Sequence, residues 1–94
     1  MEISDYVRNC NQMAESAEQW IRYLENQCGH RNMDFNEVYG FYQSRVLHRE
    51  REYEAKNHTD ITALLGQDVI RYFNAVIECA KIARQDVKEK YALR

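Results

Sequence analysis

No proline occurs anywhere in the 94 residues and only three are glycine, so the chain lacks the residues that sandwiches, barrels and tight-turn scaffolds use to reverse direction. An average chain of this length would carry about four or five prolines. Long helices are the architecture that remains. At this length folding buries only about 60 to 65 per cent of the unfolded surface, which suits one compact domain over residues 1–94. The hydrophobic share of 45% with 30% charged residues is that of a globular chain and too apolar for a disordered one.

From Ile3 the apolar residues alternate steps of four and three through Val7, Cys10, Ala14, Ala17, Ile21, Leu24 and Cys28. This heptad seam predicts helix 1 over about residues 4–28, with Ser4 as N-cap and Gly29 as the left-handed residue that ends it. Tyr6, Met13 and Trp20 form a second file at seven-residue spacing, making the apolar face wider than a two-stranded seam needs. Asp34 followed by Glu37 reads as a capping box and opens helix 2 over about 35–56. Its second half is rich in Arg, Glu and His. After the polar break at Asn57, His58 and Thr59, with Thr59 or Asp60 as N-cap, helix 3 is expected over about 60–91. Its apolar residues, from Ile61 to Val87, cover more than one face.

Short connections make sequential helices antiparallel, so the expected fold is all-α: an antiparallel three-helix bundle with a long central C-terminal helix. Helix 3, about 45 Å long at 1.5 Å per residue, should overhang its neighbours and carry Tyr91 and Leu93 beyond them. With Tyr6, Met13 and Trp20 these residues form the expected interface of a homodimer or higher oligomer; the alternative for Tyr91 and Leu93 is a frayed terminus with two exposed apolar side chains.

Catalytic chemistry is not legible. Cys10 and Cys28 lie about 27 Å apart along one helix, and Cys28 with His30 is half a metal site without a second pair. Ser16 and Ser44 lack a glycine-flanked elbow, the glycines are isolated, and the carboxylates of Glu50, Glu52 and Glu54 are spread around helix 2. We therefore expect no enzyme, metal or cofactor. The formal net charge of −2 gives no general polyanion binder, no run approaches a membrane span, and the polar start after Met1 and the odd number of cysteines point to the cytoplasm.

One surface is chemically more specific. Tyr42, Arg45, Arg49 and Tyr53 follow steps of three, four and four on helix 2, with His48 beside them. Guanidinium forks bind phosphate and phenol rings stack on bases, so this face could hold a nucleotide or nucleic acid. Alternatively, the tyrosines complete the core edge while Glu50, Glu52 and Glu54 balance the arginines. Gly66, expected opposite Arg49 to Arg51, and Gly40 suggest either room for a ligand or arginine stem, or close helix packing.

The function expected from these residues is a small cytoplasmic helical interaction protein that acts by stoichiometric binding to a protein partner. Regulators, adaptors, immunity proteins and phage-type inhibitors of host systems are of this kind. The alternative is a nucleotide or nucleic-acid binding and sequestering protein using the Tyr/Arg face.

Overall fold

The computed structural model describes residues 3–94. Among these residues the chain is all-helical, in the order α1 (Ile3–Arg31), α2 (Phe35–Asn57), α3 (Ile61–Gln67) and α4 (Val69–Tyr91). It divides into two compact units, one up to Tyr39 and one from Gly40 onward. The boundary falls inside α2.

Each helix stop departs from the glycine rule. Gly29, expected to end α1, lies within it, and no glycine has positive φ. The left-handed residue is Asn32 (φ 54°), and Met33 N–H reaches back to the Cys28 carbonyl at 2.9 Å. His58 (φ 50°) ends α2 in the same way, with Thr59 N–H donating to the Glu54 carbonyl at 3.2 Å. Ala92 (φ 54°) ends α4, with Leu93 N–H on the Lys88 carbonyl at 2.8 Å. These six-to-one bonds satisfy carbonyls that the last helical turn leaves open. At the other ends, Asp34 Oδ1 accepts from Asn36 N–H (3.0 Å) and Asp60 Oδ1 from Thr62 N–H (2.9 Å), so both Asp residues cap as their spacing implies. Ser4 does not cap α1, because the helix already includes Ile3.

Two expectations about packing are overturned. In α1 the expected seam is buried only at its C-terminal end: Leu24 and Cys28 of the seam are buried together with Trp20 of the second file, whereas Ala14 and Ala17 are exposed. Trp20, expected at an oligomer interface, is only 5% exposed within the chain itself, and its ring stacks on Tyr23 at 5.4 Å. A large indole gains far more from leaving water than an alanine methyl, which is why Trp20 is covered while Ala14 and Ala17 are not.

The single helix expected over 60–91 is also interrupted. Asp68 (φ −151°, ψ 86°) stands outside the helical region, serving as C-cap of α3 and N-cap of α4 at once. Its own N–H donates to the Leu64 carbonyl, while its Oδ1 accepts from Arg71 N–H. The short carboxylate competes with the backbone for donors, which is why Asp favours caps over helix interiors. Among the described residues there are therefore four helices where three were expected. Because seven residues are diverted into α3, α4 has 23 residues, the same as α2, and Tyr91 does not project beyond its neighbours. Tyr91 is half-buried, with its ring edge-on to Phe41 at 5.9 Å, and Leu93 is half-buried too. Lys90 Nζ sits 4.3 Å from the centre of the Phe41 ring.

In the second unit α4 carries the core. Phe73, Ala75, Cys79, Ala83 and Val87 are all buried. Ile61 of α3 joins Ala75 and Cys79 in one cluster, against which Tyr53, Tyr72 and Val76 pack. Neither Gly40 nor Gly66 is there for close packing, since a Cβ at either position would meet nothing within 4 Å. The residue paired with Arg49 from across the unit is Asp86 of α4.

Candidate functional site

Helical spacing does put Arg45, His48, Arg49 and Tyr53 along one side of α2, and α4 supplies the residue that organises them. Asp86 Oδ2 accepts from Arg45 Nε at 3.0 Å and from Arg49 Nε at 2.9 Å, and its Oδ1 accepts from Arg49 Nη2 at 2.8 Å. The Asp86 side chain is 13% exposed and the two arginine side chains 27% each, so the three charges are largely withdrawn from water. Arg49 Nη1 turns to Glu52 Oε2 at 2.9 Å, and Glu52 Oε1 pairs with His48 Nε2 at 2.9 Å. The result is a continuous chain: Arg45, Asp86, Arg49, Glu52, His48.

The electrostatics follow from this geometry. Hydrogen bonds from Arg49, and then from Arg45, hold the Asp86 carboxyl below the ordinary carboxylate range, against the opposing effect of burial. The bond to Asp86, followed by that to Glu52, drives the Arg49 guanidinium still further toward its charged form. Glu52 is lowered chiefly by the bond from Arg49. The Arg45, Arg49, Asp86 and Glu52 charges cancel, two against two, so this part of α2 presents no net positive field.

The two tyrosines divide. Tyr53 packs against the Ile61, Ala75 and Cys79 cluster and so belongs to the core edge, while Tyr42 is half-buried. The structure thus brings Arg45 and Arg49 together on Asp86 and pairs His48 with Glu52, but turns Tyr53 toward the core. Glu50, Glu52 and Glu54, which were expected to balance the arginines, serve three different purposes. Only Glu52 contacts one of the two. Glu54 Oε2 accepts from Ile61 N–H at 3.0 Å and so caps α3. Burial, and then the neighbouring Glu54, raise the carboxyl of Glu50. Asp86 was missed by sequence reasoning, although a signal existed: it lies seven residues after Cys79 and three after Ala83, a charge on the buried stripe of its own helix. A charge in such a stripe needs a cation from a facing element.

Among the described residues no group of three or more His, Cys, Asp or Glu side chains could hold a metal ion, and no helix is long and apolar enough to cross a membrane. Cys28 and Cys79 are buried thiols and Cys10 is half-buried. Burial raises both buried thiols, with Asp34 adding to the effect at Cys28 and Glu50, Glu78 and Glu54 at Cys79.

Of the residues expected at an oligomer interface, Tyr6 is 41% exposed and Met13, Tyr91 and Leu93 are half-buried. Near Tyr6, Ile3 is 84% and Val7 49% exposed, so the first turns of α1 carry large apolar side chains in water.

No protein-family model, no curated protein and no solved structure matches the chain.

Proposed function

We propose that this is a cytoplasmic interaction protein that binds a protein partner stoichiometrically, without turnover, in the manner of a regulator, adaptor, immunity protein or inhibitor. The observation supporting this reading is the exposed apolar file of Ile3, Tyr6 and Val7 at the start of α1, whose heptad spacing continues into buried residues farther along the same helix. An amphipathic helix whose seam is covered in one half and open in the other has the form of a helix-in-groove or helix-on-helix contact surface. Self-association through the same file is part of this proposal.

The alternative, phosphate or nucleic-acid binding by Arg45 and Arg49, is disfavoured by Asp86. A phosphate would have to displace a carboxylate already held by both guanidinium groups.

The test uses the parent chain and a double variant, Ile3→Glu with Val7→Glu, as baits in matched pull-downs from the native host, read by quantitative mass spectrometry. A partner retained by the parent and reduced at least tenfold by the double change, with the helical circular dichroism of the bait intact, supports the reading. A polynucleotide or nucleotide retained by both baits, and released by Arg45→Gln with Arg49→Gln, would replace it.

A further inference from the structure

We infer that α4 is an exchangeable element: Asp68 is a hinge that can straighten, and in the straightened form α4 of one copy docks on α2 and α3 of a second copy of this chain. The inference does not depend on the α1 surface proposed above.

Three observations carry it. First, α3 is folded back on α4. Ile61 shares a packed cluster with Ala75 and Cys79, whereas in one continuous helix these residues would be about 21 Å and 27 Å away. Second, the fold-back is made by one residue. Asp68 alone leaves the helical region, and the bonds on either side of it, Asp68 N–H to Leu64 carbonyl and Tyr72 N–H to Asp68 carbonyl, already have α-helical spacing. Straightening would add the backbone bonds from Val69, Ile70 and Arg71 that a continuous helix makes, in exchange for the Asp68 side-chain cap on Arg71.

Third, the sequence keeps one helical phase across the break. At about 100° per residue, Ile61 and Leu64 of α3 fall in phase with Ala75, Cys79 and Ala83 of α4, with Val87 and then Phe73 on one flank of the stripe, and Asp68 falls inside it. An independent short helix would have no reason to keep this phase. The apolar residues of α3 and α4 are thus in line when the hinge is straight, with the Asp68 carboxylate between them as the part of the face that straightening does not improve.

The occupant of the opened face follows from complementarity. When the hinge straightens, α4 leaves α2, and the contacts from Asp86 to Arg45 and Arg49, from Cys79 to Ile61 and from Tyr91 to Phe41 are lost within the chain. Only a second copy can restore all of them, since α4 of one chain carries the same Asp86, Cys79 and Tyr91 as the other. The exchanged pair then differs from two closed chains mainly at the hinge and in the entropy of association, the usual balance for exchange of an element between identical chains.

The experiment is a charge-swap complementation. One chain carries Arg45→Glu with Arg49→Glu, the other Asp86→Arg, so each closed monomer places like charges together. Exchange of α4 between the two restores opposite charges at both sites. After co-refolding from urea in equal amounts, light scattering on a sizing column should give a species of about twice the 11.3 kDa of one chain, containing both variants one to one and melting above either variant refolded alone. A pair formed through α1 would show no preference for the mixed combination. In the otherwise unchanged chain, Asp68→Ala, which removes the cap that holds the bend, should raise the dimer fraction at least fivefold at equal concentration, while the cap-retaining Asp68→Asn should behave as the parent. A mixture that behaves as the sum of its parts overturns the inference, and so does an Asp68→Ala chain with no more dimer than the parent.

Discussion

Asp86→Asn is the change that most directly tests how the second unit is held together. It keeps the size of the side chain but replaces a carboxylate that accepts three charge-assisted bonds, at 3.0, 2.9 and 2.8 Å, from two guanidinium groups. A hydrogen bond to a charged group contributes about 1.5–3 kcal/mol, but bonds sharing one acceptor are not additive. Breaking a fully buried ion pair costs about 3–5 kcal/mol and an exposed one at most about 1 kcal/mol. With Asp86 13% and the arginines 27% exposed, the site lies between these limits. The expected loss is about 2–3 kcal/mol, to which the mutual repulsion of Arg45 and Arg49, four residues apart, contributes. For a chain of this size that lowers the thermal midpoint by about 10–20 °C.

The assay is urea and thermal unfolding followed by far-ultraviolet circular dichroism, at pH 7 and then at decreasing pH. The folded state holds the Asp86 carboxyl below its ordinary value of 3.8. Its stabilisation is therefore complete above that value and is lost as pH falls through the lower folded one, so parent and variant should begin to converge as pH drops below about 4. A double-mutant cycle with Arg49→Gln should give a coupling of about 1–2 kcal/mol. A loss under 0.5 kcal/mol at pH 7, or strictly additive single changes, would refute the view that Asp86 clamps α2 to α4.

Other consequences can be measured in the same way. Trp20→Ala should cost about 3–5 kcal/mol of unfolding free energy, because Trp20 is 5% exposed, whereas Ala17→Glu, at an exposed position, should shift stability by less than about 0.5 kcal/mol in dilute solution; equal midpoints would show that the indole is not the anchor of α1. Ala92→Gly and His58→Gly relieve left-handed backbone at φ 54° and 50° and should each stabilise by about 0.5–1 kcal/mol in urea titrations. Gly40→Ala and Gly66→Ala, where a Cβ meets nothing within 4 Å, should each gain up to about 1 kcal/mol from helix propensity. In a thiol titration at pH 8 with a chromogenic disulfide reagent, Cys10 should react first, and Cys28 and Cys79, whose thiols burial raises, should react only as the chain opens.

Much of the fold was legible because it depends on local rules. The absence of proline and the apolar spacing implied helices throughout, and Asp34 and Asp60 cap where their sequence context places them, since a cap is a bond between residues two or three apart. The extent of α2 was readable for the same reason. The stops were less so. Gly29 looked like a terminator, but α1 runs three residues past Cys28 and the left-handed position went to Asn32, because three extra helical bonds outweigh the modest cost of a left-handed non-glycine residue; His58 and Ala92 end α2 and α4 without glycine in the same conformation.

What the sequence alone did not reveal is non-local. Periodicity marks which residues share a face, but not which face a neighbour covers. Two overlapping files ran along α1, and the seam through Ala14 and Ala17 was the more regular, yet packing buried Trp20. Asp68 keeps the helical phase of the residues around it, so periodicity cannot show that the chain bends there. The candidate site depended on the same bend. With seven residues diverted into α3, it is Asp86 of α4 that meets Arg49, a pairing the three-helix register did not suggest. The arginine pair was visible in the sequence; the carboxylate that neutralises it, 37 residues farther along the chain, was placed by tertiary structure alone.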